Sequence, residues 1–232
     1  MSISSRRAKH LATVSHSKGV IFDLDGVLFD TEPLHRTAWI RSLEAFGHSI
    51  DEESLMKWTG VPCRALAERY SETLNPKRDW KEYYHAKTRE LKDLVHHRLV
   101  VYPGVPDLLR RLSRQFALGY ATSNYRDDAF LMLTRAGIID LLEAGVCYDD
   151  VKRHKPHPEP YLSAAELIAC NPKNCYALED SPSGLSSARA AGMCVFAVTS
   201  TYSADLLAGA DAVFSSTVEA CRRLIGETET PE

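Results

Sequence analysis

The chain has 232 residues, of which 44% are hydrophobic and 25% charged, with a net charge of −3 at neutral pH. This is the composition of a folded globular protein of one large or two small domains, and it excludes disordered and fibrous classes. Acids and bases are well mixed, which leaves no basic face for nucleic acid or a membrane surface, and no apolar run approaches the length of a membrane span.

Residues 1–18 contain Arg6, Arg7, Lys9 and Lys18 and no acid. That suits a disordered tail or an organelle-targeting segment. The cysteines, at 63, 147, 170, 175, 194 and 221, form no C-x-x-C pair. Cys147, Cys175 and Cys194 stand in or beside apolar runs, where free thiols act as small hydrophobes. A reducing compartment accounts for this, and the cytoplasm is the expected location.

The first strand signal is Gly19–Asp23, within Val-Ile-Phe-Asp-Leu-Asp-Gly-Val-Leu at residues 20–28. A short apolar run that stops at a pair of carboxylates reads as a buried parallel strand emerging at its C-terminal edge, where open α/β sheets bind ligands. Asp23 and Asp25 repel each other there unless a cation or a shared proton lies between them. A calcium loop starting at Asp23 fails on its spacing, because its fifth and twelfth positions are Val27 and Leu34. A plain turn remains open for this fragment alone.

Residues 31–99 lack strand signals and carry helical periodicity, with Leu34, Ala38, Ile40, Leu43 and Phe46 as one stripe. They read as a helical module inserted after the first strand, above the rim of the sheet. Tyr102-Pro103-Gly104 marks the return to a core made of residues 19–30 and 100–232. Strand signals then recur at Phe116–Ala121, Ala144–Cys147, Cys175–Leu178, Cys194–Val198 and Asp211–Phe214. Helical patterns lie at Val105–Arg114, Asp127–Ala136, Pro158–Ala169 and Ser181–Ala191. The alternation predicts βαβ units and a doubly wound parallel sheet.

Three later segments fall at the same predicted rim. Ala121-Thr122-Ser123-Asn124 offers hydroxyls and backbone N–H groups to an anion, or simply caps the next helix. Lys155 sits between Arg153-His154 and Pro156-His157-Pro158, where a lone lysine is usually solvated. Glu179-Asp180 brings a second acid pair ahead of Ser181-Pro182, a credible helix start. In this order the groups match what phosphoryl transfer to an aspartate requires: one carboxylate attacks phosphorus and another moves the proton of the leaving alcohol. A cation, a lysine and a hydroxyl offset the phosphate charge.

With these four motifs the chain resembles the haloacid dehalogenase superfamily of phosphohydrolases, over residues 19 to about 215. The resemblance implies that Asp23 is the nucleophile and Asp25 the general acid/base. Magnesium would be held by Asp23, the backbone carbonyl of Asp25 and Asp180, with Glu179 alongside. Thr122 and Lys155, with Ser123 and Asn124, would hold the phosphate. The dehalogenases proper lack an acid at the place of Asp25, which disfavours halide displacement. The insert corresponds to the small helical cap of the family.

Asp30-Thr31-Glu32-Pro33-Leu34-His35 and Trp39 resemble the subgroup of β-phosphoglucomutases and sugar- or polyol-phosphate phosphatases. By that resemblance Thr31 and His35 couple the cap to proton transfer. Thr59-Gly60-Val61-Pro62-Cys63-Arg64 corresponds to the cap loop that sets specificity, and Lys87 falls near a second substrate-contacting position. Mutases grip a distal phosphate with an arginine of this loop. Here Cys63 takes that place and Arg64 follows one residue later, which weakens the mutase case. Trp39, Trp58 and Trp80 read as cap core rather than sugar platforms. The expectation is a monomeric magnesium-dependent phosphatase of small phosphomonoesters, with a phosphosugar mutase as the alternative. A receiver domain of a signalling system, which has a phosphoacceptor on a later strand and no insert, has the wrong motif order.

Overall fold

The computed structural model describes residues 16–59, 61 and 63–227. Residues 1–15, Gly60 and Pro62 lie outside it, so the targeting expectation and the expected role of Gly60 are not addressed by the structure.

Six strands form one sheet: β1 (Gly19–Phe22), β2 (Ala117–Ala121), β3 (Ala144–Val146), β4 (Cys175–Glu179), β5 (Cys194–Val198) and β6 (Ala212–Phe214). Their order is β3-β2-β1-β4-β5-β6 and every pair is parallel. β1 is central. Phe22 is in register with Tyr120 on one side and Leu178 on the other, so the residues after all three strands emerge at one edge. The period of two is visible in β1 itself, since Val20 and Phe22 feed one core cluster and Ile21 the other.

The first of these clusters is completed by α5 (Val105–Leu112), α6 (Arg126–Arg135) and α9 (Thr217–Leu224). The second is completed by α7 (Glu159–Leu167) and α8 (Pro182–Ala190). Strand and helix bounds differ from the expected ones by a residue or two. Glu179 extends β4 because it still pairs with Ala197. Asp23 lies just past β1, although its N–H reaches Leu178 O at 2.9 Å.

Between β1 and β2 come α1 (Glu32–Glu44), α2 (Glu52–Met56), α3 (Cys63–Thr73) and α4 (Trp80–Arg98). They enclose a cluster of their own around Trp39, Leu43, Leu55, Leu66, Tyr70 and Tyr83. Leu34, Ala38, Leu94 and Val95 instead join the core beneath. α4, the longest helix among the described residues, starts on a capping box in which Asp79 and Glu82 satisfy each other's backbone N–H. The buried face of α1 is Leu34, Ala38, Trp39, Ser42 and Leu43. Steps of four from Leu34 lead to Ser42, and Trp39 and Leu43 flank that line, so Ile40 falls off the stripe and Phe46 lies beyond the helix end. Trp39 is buried, and Trp58 and Trp80 pack at the edge of the same cluster, each under an arginine. Among the described residues, no helix is long and apolar enough to cross a membrane.

Candidate active site

Asp23 is buried where the chain leaves β1, and the turn that follows folds back tightly, Gly26 N–H bonding Phe29 O at 2.8 Å. Gly26 has φ +69, and a side chain there would run into the carboxylate of Asp180 and the hydroxyl of Thr201. Only glycine both takes that conformation cheaply and lets the β1 and β4 loops touch.

Lys155 holds the two loops together. Its Nζ donates to Glu179 Oε1 at 2.6 Å and lies 3.1 Å from Asp23 Oδ1. Asp23 Oδ1 is buried and meets Lys155 as an ion pair. Glu179 is occupied on both oxygens. Oε1 also accepts from Tyr161 Oη at 2.6 Å, and Oε2 accepts from Ser181 Oγ at 3.1 Å and Asp180 N at 3.3 Å. Gly184, in the first turn of α8, makes room for this carboxyl group, which an added Cβ would strike.

Electrostatics follow from three buried acids facing one lysine. Burial pushes the Asp23 carboxyl up to about 7; Lys155 pulls it down, and Glu179 and Asp25 add to the rise. Asp180 is pushed well above the carboxylate range by burial, then by Asp23 and Glu179. Burial works to lower Lys155, yet Asp23 and Glu179 outweigh it and raise the ammonium above its ordinary value. The cluster therefore carries more negative charge than its lysine offsets. Asp23, Glu179 and Asp180 each offer an oxygen, all within 4.8 Å of one another. Three buried carboxylates facing one ammonium make a hard, all-oxygen donor set that fits a cation such as Mg2+.

On the other side of β1, Thr122 is buried and its Oγ1 accepts from Asn124 N at 3.1 Å. The Asn124 side chain is turned to the acid pair, donating through Nδ2 to Asp25 Oδ2 at 2.5 Å. Ser123 lines a cleft of about 160 Å³ with Asp23, Asp25 and Asp180. Glu32, Ser181, Thr201 and Tyr202 line it too. Glu32 and Ser181 stood inside motifs already singled out, whereas Tyr161, Thr201 and Tyr202 carry no signal that sequence reasoning could have used.

The residues of the helical segment divide. Thr31 is buried beneath α1, and Thr31 and His35 share with Asp25 and Asn124 the lining of a small cavity of about 30 Å³. His35 Nδ1 lies 3.1 Å from Lys87 Nζ, which is also 3.0 Å from Cys63 Sγ. Lys87 is only 2% exposed. Burial, then the charge of Lys87, holds His35 well below its ordinary value, so it is a neutral imidazole. Arg64 points away from all of this. Its side chain is 68% exposed, bonded to Glu68 Oε1 at 2.9 Å and laid over the Trp80 ring at 4.8 Å.

A parallel sheet with β1 at its centre and acids, a hydroxyl and a lysine converging on one edge defines an α/β enzyme built around a buried aspartate. Residues 20–198 match the model of the haloacid dehalogenase-like hydrolases, and the chain belongs to that family. It is 33% identical to validoxylamine A 7'-phosphate phosphatase of Streptomyces hygroscopicus subsp. limoneus, over 87% of this chain and 95% of that one. It is 30% identical to the fructose-1-phosphate phosphatase YqaB of Escherichia coli, over 75% and 93% of the two chains. Identity to the beta-phosphoglucomutase of Bacillus subtilis is 31%, over 90% and 94%. Among solved structures, CbbY of Rhodobacter sphaeroides in complex with phosphate superposes with a TM-score of 0.73 at 26% identity, over 87% of this chain and 95% of that one.

Proposed function

We propose that the chain hydrolyses phosphate monoesters of sugars or polyols through a phosphorylated Asp23. The observation that carries this reading is the buried carboxylate of Asp23, whose Oδ1 lies 3.1 Å from the ammonium of Lys155. The ammonium beside the carboxylate offsets the charge of an arriving phosphate. The phosphatase relatives named above support the substrate class.

In this mechanism Thr122 and Lys155 hold the phosphate oxygens, with the exposed Ser123 at the mouth. Asp23 attacks phosphorus and forms the acyl phosphate as the bond to the leaving oxygen breaks. Asp25, aimed by Asn124, gives that oxygen its proton. Water then attacks the acyl phosphate, Asp25 takes its proton back, and Asp23 is regenerated. Glu179 keeps Lys155 in place. Asp23, Asp180 and the backbone carbonyl of Asp25 would hold Mg2+, with Glu179 alongside. Bound there, the ion would supply positive charge between the carboxylates and the phosphate. Residues 31–99 act as the cap, excluding bulk water in the first step.

The mutase reading has a relative in its favour and a side chain against it, since Arg64 is engaged by Glu68 on the outer surface. Turnover of β-glucose 1-phosphate, with and without glucose 1,6-bisphosphate, separates the two. Phosphate release without glucose 6-phosphate is the expected result. Glucose 6-phosphate appearing without phosphate release would overturn it.

A further inference from the structure

Three rings stand together at the rim without closing any core. Tyr125 directly follows Asn124, Tyr148 follows β3, and His154 directly precedes Lys155. Tyr148 and His154 are stacked, with centroids 3.8 Å apart and planes 7° from parallel. Tyr125 lies against Tyr148 at 5.0 Å. The backbone ties the group to the catalytic loops, because Tyr148 N–H donates to Asn124 O at 2.8 Å. Even so, Tyr125 is 49% and Tyr148 37% exposed. Large rings packed on each other yet open to water mark a recognition surface.

We propose that Tyr125, Tyr148 and His154 form a shelf against which the ring of the leaving alcohol stacks, so that cyclic phosphate monoesters are preferred to open-chain ones. This rests on the phosphatase reading above and deepens it. Aromatic faces bury the apolar face of a ring while its hydroxyls stay solvated, and a pair that is already stacked loses little freedom on binding. Charge does not explain the patch. The two flanking arginines are paired, Arg126 with Asp150 and Arg153 with Glu159.

The test compares kcat/KM of the full-length protein for cyclic esters (glucose 1-phosphate, myo-inositol 1-phosphate) and open-chain esters (glycerol 3-phosphate, sorbitol 6-phosphate). Wild type, Tyr125→Ala, Tyr148→Ala and the two Tyr→Phe variants are run together. The shelf predicts a cyclic preference in wild type that falls on the order of tenfold in the alanine variants, mainly through KM. Open-chain turnover should stay within about twofold, and phenylalanine should restore the preference. An unchanged ratio in both alanine variants, or equal loss on both sets, overturns the shelf and leaves the phosphatase standing. Wild type that releases phosphate from neither set sinks the phosphatase reading and the shelf with it.

Discussion

Asn124 Nδ2 donates to Asp25 Oδ2 at 2.5 Å across 99 positions of sequence, joining the loop after β2 to the loop after β1. The bond fixes one carboxyl oxygen of Asp25, a residue that lines the cleft. Asn124→Ala should therefore lower kcat on sugar phosphates about 10- to 100-fold, with a smaller change in KM. p-Nitrophenyl phosphate, whose leaving group needs no proton, should be affected much less. Equal losses on both substrates would mean that Asn124 does not act through Asp25.

Among the described residues, Lys155 is the one cation in contact with the buried acids Asp23 and Glu179. Lys155→Met leaves those acids facing each other in a site that water does not screen. It should abolish turnover and cost about 3–5 kcal/mol of stability at pH 8. Urea unfolding at pH 5, where the carboxyls regain protons, should recover much of that loss.

Asp23 titrates near 7 in the folded chain against an ordinary value of 3.8. Between those two values the folded state holds a proton that the unfolded state has released, so stability falls as pH rises through this window. In metal-free protein, Asp23→Asn should thus be more stable than wild type at pH 8 by a few kcal/mol, and the gap should close toward pH 4. Thermal melts of both proteins in chelator check this. A gap that widens as pH falls contradicts it.

On the proposed function, Mg2+ would compete with protons for the oxygens of Asp23 and Asp180. Chelator should abolish turnover and Mg2+ restore it, and Mg2+ should raise Tm more at pH 8 than at pH 5.5. An equal shift at both pH values would place the ion away from Asp23 and Asp180.

Arg64 is laid on Trp80 and paired with Glu68, and the proposed mechanism does not use it. Arg64→Ala should leave monoester hydrolysis within about twofold. A tenfold loss would mean that the loop carrying Cys63 and Arg64 rearranges to bring the guanidinium inward.

The parallel sheet was legible because β1 is an unbroken apolar run ending in acids, and a run buried on both faces has few alternatives. The order of the strands was not, since β4 pairs with β1 across a long stretch of chain and local pattern cannot see it. The carboxylates, Thr122 and Lys155 could be singled out because their chemistry is rare at a strand end. Asn124 was expected among the phosphate ligands; the structure shows its side-chain amide donating to Asp25, a contact that local pattern cannot reveal. Tyr161 escaped notice altogether. A tyrosine inside an apolar helix reads as core, and its hydrogen bond to Glu179 depends on how α7 packs against β1, β2 and β3.

Chain segments 28–30 and 100–102 are zipped side by side: Asp30 N–H bonds Val100 O at 3.0 Å, Tyr102 N–H bonds Leu28 O at 3.1 Å, and Phe29 bridges Val101. The stretch from α1 to α4 thus leaves and rejoins the core at one seam, as a long loop whose ends are already sewn. Lengthening a loop that is closed in this way costs little. The seam is a graft point: a lineage can splice in another set of helices, and with them another appetite for substrates, while the acids and the lysine below keep their places.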